Sequence, residues 1–240
     1  MYLSEIRIDG LNRATRHLID DPYKLHAALM GGFAPDQPGE RVLFRQEPPQ
    51  PGSAWAQVIV QSQTEPNWTA LLEKYADHLR LRTKTVALAF QPGQLLRFRL
   101  RANPTVARKR LDGAADHDNR CRKPRRGEAE HASLDDAADH SKHRSQRCGL
   151  VGESDQRKWL QHRSASFGFA LRYFQVVDEG MVSSYKRAKE TTKEQQMSFR
   201  TVRYEGVLVV EDAARLHETI TKGIGPAKGF GCGLLSVAPG

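Results

Sequence analysis

The feature that most constrains this chain is a gap in its apolar pattern. From Asp112 to Arg147 there are eight acids, eight bases and four of the nine histidines, but no large apolar residue except Leu134. Such a stretch cannot bury enough apolar surface to offset the entropy of ordering its backbone. The tetrad Ala-Ala-Asp-His recurs at 114–117 and 137–140, which adds a low-complexity signature. A disordered linker over 106–149 is therefore expected, with one domain before it (1–105) and one after it (150–240).

The first segment alternates strand and helix patterns. Tyr2–Asp9 reads as a strand, and Asp21 followed by Pro22 is a helix start, with Leu25, Ala28 and Leu29 as its apolar stripe. Arg41–Gln46 and Trp55–Gln63 read as strands, a helix starts near Asn67, and Gln94–Pro104 is a strand with Arg97, Arg99 and Arg101 in alternation. The order β-α-β-β-α-β is the signature of a ferredoxin-like (RRM-like) domain. Beyond Leu150 the pattern returns: a helix capped by Ser154, a strand over Phe167–Val177, a long hairpin with a basic tip near Lys186–Lys193, a helix capped by Asp212 with Gly223 as its left-handed stop, and a last strand. The expected class is α+β, two tandem ferredoxin-like domains.

A net charge of +9 predicts an anionic partner. With no run of ~20 apolar residues and no signal-peptide core after Met1, nucleic acid in the cytoplasm fits better than a membrane. Cys121, Cys148 and Cys232 are too few and too scattered for a disulfide framework. Zinc ligation by Cys121, Cys148 and the neighbouring histidines is also disfavoured, because no paired Cys and His block is present. No metal and no cofactor are expected.

The chain closes on Thr221–Gly240, with six glycines from Gly223 onward and Lys222 and Lys228 among them. A P-loop needs Gly-Lys-Ser/Thr before a helix, and a dinucleotide fingerprint needs a strand before its loop. Here a helix precedes and a strand follows. Gly223 and Gly225 suit a helix stop and turn, but Gly229, Gly231 and Gly233 in alternation favour close approach of backbone N–H groups to phosphate.

RNA can be cut without metal, because its own 2′-hydroxyl attacks phosphorus once a base takes the proton. Tyr23 and His26, three residues apart on one helix, share a face away from the Leu25 stripe. The helix N-terminus nearby favours neutral imidazole and attracts phosphate. His17, His78, His162 and His217 compete on chemistry alone. Lys24 and Lys228 are candidate phosphate stabilisers.

The closing motif Gly-Ile-Gly-Pro-Ala-Lys-Gly-Phe-Gly-Cys-Gly-Leu-Leu-Ser-Val-Ala-Pro (223–239) resembles that of the repeat-associated mysterious proteins, most closely the CRISPR-associated CasE endoribonucleases. The likeness extends to the first strand, to Asn12–Leu29, to Thr64–Trp68, to Pro92–Thr105 and to Gly149–Phe169, and spans about 200 residues outside 112–147. The resemblance implies two ferredoxin-like domains that bind the stem-loop of CRISPR repeat RNA. It implies metal-free cleavage at the base of the stem, a 2′,3′-cyclic phosphate and a 5′-hydroxyl, and retention as a subunit of the Cascade complex. The family's catalytic Tyr and His match Tyr23 and His26. Its Arg-rich loop matches Arg13 and Arg16, and its basic hairpin matches Lys186, Arg187, Lys189 and Lys193. Together with Lys24, Lys222, Gly223, Gly225, Lys228, Gly229 and Gly231, these are the expected RNA contacts. A non-catalytic hairpin-binding subunit and a general single-strand RNA binder are the competing readings.

Overall fold

The computed structural model describes residues 1–34, 41–108, 146–187 and 194–240. Two four-stranded antiparallel sheets carry the chain, each with helices against one face. The first contains β1 (Tyr2–Asp9), β2 (Leu43–Gln46), β3 (Trp55–Ser62) and β4 (Leu79–Thr85), in the order β2-β3-β1-β4. Between β1 and β2 lie α1 (Arg13–Asp20) and α2 (Pro22–Met30); between β3 and β4 lies α3 (Thr69–Tyr75). The second sheet contains β5 (Leu95–Ala102), β8 (Phe169–Arg187), β9 (Glu194–Val210) and β10 (Leu235–Pro239), in the order β10-β5-β9-β8. Its crossovers hold α4 (Glu153–Ser164) and α5 (Ala213–Lys222).

Both sheets thus place the fourth strand beside the first and the third beside the second, the ferredoxin-like order built twice. The boundary differs from the sequence expectation. The strand at 94–104, expected to close the first domain, pairs with β9 and β10 and opens the second. The true closing strand is β4, which pairs with β1 from Leu79↔Ile8 to Thr85↔Tyr2. The boundary therefore falls between Thr85 and Leu95 rather than at 105. The low-complexity stretch is an insertion within the second domain, between β5 and α4, rather than a linker between domains. Its ends, β6 (Thr105–Arg108) and β7 (Gln146–Gly149), form an antiparallel ribbon, so the expected disorder over 106–149 does not extend to those ends. Residues 109–145, Cys121 included, lie outside the described residues.

The first core gathers Ile6 and Ile8 of β1, Leu25 and Leu29 of α2, Phe44 of β2, Val58 and Val60 of β3, and Trp68. Burying each such side chain contributes roughly 1.5–3 kcal/mol. The second joins Leu96, Phe98 and Leu100 of β5 to Trp159 and Leu160 of α4, Tyr204 and Leu208 of β9, and Leu216 and Ile220 of α5. Alternate β5 residues explain the arginines in between: Arg97, Arg99 and Arg101 point to the face opposite the helices.

Three local expectations are corrected. The Arg-rich segment read as a loop is helix α1, capped by Asn12, whose side chain accepts from the Ala14 N–H. Helix α4 starts after Gly152, with no side-chain cap from Ser154. Gly223 does end α5, but at φ 73° and ψ 158° it is not left-handed helical. An added Cβ there would lie 2.8 Å from Leu43 of the first domain, so close packing between the domains requires the glycine. No helix among the described residues is long and apolar enough to cross a membrane.

Candidate active site

Helix α2 begins as its sequence dictates. Asp21 sits at the N-cap in extended conformation, its carboxylate accepts from the Tyr23 N–H at 3.0 Å, and Pro22 takes the first turn. Leu25 and Leu29 are fully buried and fix the rotation of the helix. Tyr23 and His26 follow on the adjoining side, both half-buried, while Lys24 is exposed. The pair was expected to face outward; the second domain covers that side.

The His26 ring lies 6.0 Å from the Phe44 ring of β2 and stacks against it at 14°. On its other side is the glycine loop: a Cβ placed on Gly229 would lie 3.5 Å from His26 Nε2. His26 Nδ1 is buried without a hydrogen-bond partner. Burial holds the imidazole pKa below its ordinary value, which keeps the ring neutral at pH 7. The cause is desolvation of the ring. Other histidines are placed differently. His78 is engaged by Asn12 at 2.8 Å and by Asp9 at 3.4 Å, and His17 packs against Tyr75.

The loop facing His26 is built for close approach. Lys228–Phe230 form one 3-10 turn, flanked by Ala227 and Gly231 at positive φ. The Gly233 N–H donates to Arg101 O at 2.7 Å, and the Ile224 N–H donates to Gly233 O at 2.9 Å, closing the loop onto β5 and onto itself. A Cβ on Gly231 would press on Phe44 at 3.1 Å, and one on Gly233 would strike Ile224 O at 2.8 Å. Contacts inside the protein therefore account for Gly231 and Gly233, whereas a Cβ on Gly229 would meet nothing closer than 3.5 Å. Lys228 is partly buried; that burial, with the positive charge of Arg41 nearby, lowers its pKa.

Two further groups, not foreseen from sequence, set this geometry. Ser184 of β8 is fully buried and donates to Asp21 Oδ1 at 2.6 Å, tying the long hairpin to the N-cap of α2. Phe199 of β9 lies 5.1 Å from Phe230 of the glycine loop, ring to ring. Between the sheets, Arg45 is 3% exposed and donates to the carbonyls of Arg99 and Leu234 and to Glu47. Glu47 also accepts from Arg99, which pairs in turn with Glu205 at 2.8 Å. The one sequence signal for this network was a charged residue inside the apolar run Val42-Leu43-Phe44-Arg45.

The expected RNA contacts divide. Gly229 faces His26 and Gly231 faces Phe44, with Lys228 in the same 3-10 turn, and Gly223 and Gly225 lie earlier in the same loop, against Leu43 and Trp159. Arg13 and Arg16 are exposed on α1, Arg16 within 3.6 Å of Asp20. Lys222 is exposed on α5 and ion-paired with Glu218. Lys186 and Arg187 end β8, opposite Gln195 and Glu194. Lys189 and Lys193 lie outside the described residues. Among the described residues no group of three or more His, Cys, Asp or Glu side chains could hold a metal ion.

The chain matches the model of a family described as CRISPR associated protein over residues 1–239. It is 30% identical over 247 residues to the CRISPR-associated endoribonuclease Cse3 of Thermus thermophilus, covering all of both chains. It is 32% identical over 245 residues to the Cascade subunit CasE of Escherichia coli, again covering all of both. Among solved structures, CRISPR endoribonuclease Cse3 bound to a 19-nucleotide RNA superposes with a TM-score of 0.74 at 27% identity, over the full length of both chains.

Proposed function

The chain belongs to the CRISPR-associated protein family, and on that premise we propose that it is an endoribonuclease that cuts CRISPR repeat RNA at the base of its stem-loop without metal. His26 is the general base: neutral imidazole takes the 2′-hydroxyl proton, the 2′-oxygen attacks the adjacent phosphorus, and the bond to the 5′-oxygen breaks. The products are a 2′,3′-cyclic phosphate and a 5′-hydroxyl that receives a proton. Tyr23, one turn earlier on α2, positions the attacking hydroxyl or the phosphate. Lys228 supplies positive charge where the phosphorane develops negative charge.

The observation that carries this reading is the environment of His26: a ring kept neutral by burial, stacked on Phe44, facing a cationic loop, with one nitrogen unpartnered. A buried polar atom without a partner is costly, and structural histidines seldom retain one. The basic hairpin suits an A-form stem, whose deep groove is recognised by shape and phosphates rather than by base edges. The relatives named as an endoribonuclease and as a Cascade subunit support product retention: the protein remains on the cut RNA as part of the surveillance complex.

The test is cleavage of the host's own repeat RNA in excess EDTA, with the product ends identified by mass. Wild type is expected to leave a cyclic phosphate, and His26→Ala to lose roughly 10²–10⁴ in rate with binding retained. Tight binding with no cleavage by wild type would make the protein a structural RNA-binding subunit instead.

A further inference from the structure

The outer face of the first sheet, away from its helices, is only partly covered by the second domain. Leu43, Arg45 and Gln61 are buried at the β2–β3 edge, where Gln61 donates to Ile220 O at 2.7 Å. Towards β1 and β4 the face opens into a shallow hollow of about 430 Å³ lined by Glu5, Arg7, Trp55, Arg80, Leu81 and Arg82. Glu5 sits at its centre, accepting from Arg7 Nε at 2.7 Å and from Arg82 Nη2 at 2.5 Å, one guanidinium on each carboxylate oxygen. The two arginine side chains stay 52% and 77% exposed, so their remaining N–H donors face outward. The Arg80 guanidinium lies over the Trp55 ring at 5.4 Å.

A solvated sheet face explains some of this. Edge strands often carry Lys and Arg to discourage pairing with other chains, and β4 is an edge strand. That account does not reach Arg7, which stands on the interior strand β1, or Trp55, a large aromatic left half-exposed on β3. Trp68 and Trp159, by contrast, are almost fully buried. Arg80, Arg82 and Lys84 share one face of β4 at steps of about 7 Å, a cationic ladder on the scale of an extended nucleotide backbone. The face's carboxylates are already engaged, Glu5 by two arginines, Asp9 by His78 and Glu47 by Arg45 and Arg99.

We propose that this face binds a single-stranded stretch of RNA, with bases stacking on the Trp55–Arg80 pair and phosphates running along Arg7, Arg82 and Lys84. Stacking platforms combined with cationic tracks are how single strands are held without sequence reading. The site is separate from His26 and the hairpin, and it rests on the proposed function only in taking the occupant to be RNA flanking the repeat stem.

The experiment is titration of a 12-nucleotide oligouridine, followed by tryptophan fluorescence. Wild type is expected to show saturable, salt-sensitive quenching, and Trp55→Phe to show none, since Trp68 and Trp159 are shielded from stacking. Arg80→Ala/Arg82→Ala is expected to weaken binding by about tenfold or more while repeat hairpin cleavage stays at the wild-type rate. Thermal melts of each variant establish that it folds. Quenching that persists in Trp55→Phe, or its absence in wild type that still binds and cuts the hairpin, overturns the proposal. Trp55-dependent quenching without hairpin cleavage would uphold this face and refute the nuclease reading.

Discussion

Ser184, on the long hairpin of the second domain, donates to the carboxylate that caps helix α2 of the first: its hydroxyl lies 2.6 Å from Asp21 Oδ1. The same oxygen accepts the Tyr23 N–H at 3.0 Å. The element proposed to grip the RNA stem and the element proposed to cut it therefore meet at one carboxylate. Hydrogen bonds to charged groups contribute about 1.5–3 kcal/mol, so Ser184→Ala is expected to lower unfolding free energy by that order in a denaturant melt. It should also reduce kcat more than it raises KM, because α2 loses its tether rather than its RNA contacts. Ser184→Thr, which keeps the hydroxyl, should restore part of both. Equal activity in Ser184→Ala would mean that α2 is held elsewhere.

The depressed pKa of His26 fixes the direction of pH effects. Burial lowers it below the ordinary histidine value of 6.5, so the active neutral base persists into mildly acid solution. The acid limb of the rate profile should lie below pH 6.5 and fall as pH drops through the folded value. The linked stability has the same sign. It is complete above the unfolded pKa near 6.5 and is lost as pH falls through the folded value, because the unfolded chain takes up the proton first. Phe44→Ala removes the stacked ring, and it should move the acid limb upward as water reaches the imidazole. A pH–rate series on the two proteins reads this directly.

The glycine loop should rank its own substitutions. A Cβ on Gly229 meets His26 Nε2 at an ordinary 3.5 Å, so Gly229→Ala should fold normally and act on catalysis alone. Gly231 (φ +80°) and Gly233 (φ +92°) combine left-handed backbone with contacts of 3.1 Å and 2.8 Å. Their alanine variants should each cost about 1–3 kcal/mol, Gly233→Ala the more because backbone Ile224 O cannot move aside. Thermal melts of the three variants supply the order.

How far this was readable in advance depended on whether the information was local. The N-cap at Asp21, the Leu25–Leu29 stripe, the Asp212 cap and the Tyr23–His26 spacing are local, and the structure reproduces them. The partner of β5 is not. Leu95–Ala102 and Leu79–Thr85 both alternate apolar with basic residues over part of the strand, and only pairing across the chain decides which sheet each joins. The stacking of Phe44 on His26 joins β2 to α2 within the first domain, the descent of Gly229 onto the same ring is a contact between domains, and no spacing within one segment encodes either. Alternation of glycine likewise looks the same whether the neighbour is phosphate or a phenyl ring.

The Arg45–Glu47 pair should be more costly to break than to remove. Arg45 and Glu47 side chains are 4% and 8% exposed, joined at 2.6 Å, so Glu47→Ala strands a buried guanidinium at about 3–5 kcal/mol. Replacing both by apolar residues of similar volume, Arg45→Met with Glu47→Leu, should cost less than Glu47→Ala alone. Chemical denaturation of the single and double variants decides it.

Lys186 and Arg187 close β8 against Gln195 and Glu194, and Lys189 follows in sequence. If these cations lie on the phosphates of the repeat stem, each neutralised phosphate releases condensed counterions when the RNA binds. A triple alanine variant should then bind more weakly at every salt concentration. The slope of log affinity against log salt should also become shallower by about one unit per cation lost. Affinity and slope must fall together, because a variant that merely misfolds the hairpin would lose shape recognition with no defined change in counterion release. Reduced affinity at an unchanged slope would remove these residues from the RNA backbone and leave the hairpin a structural arm that reaches Asp21 through Ser184.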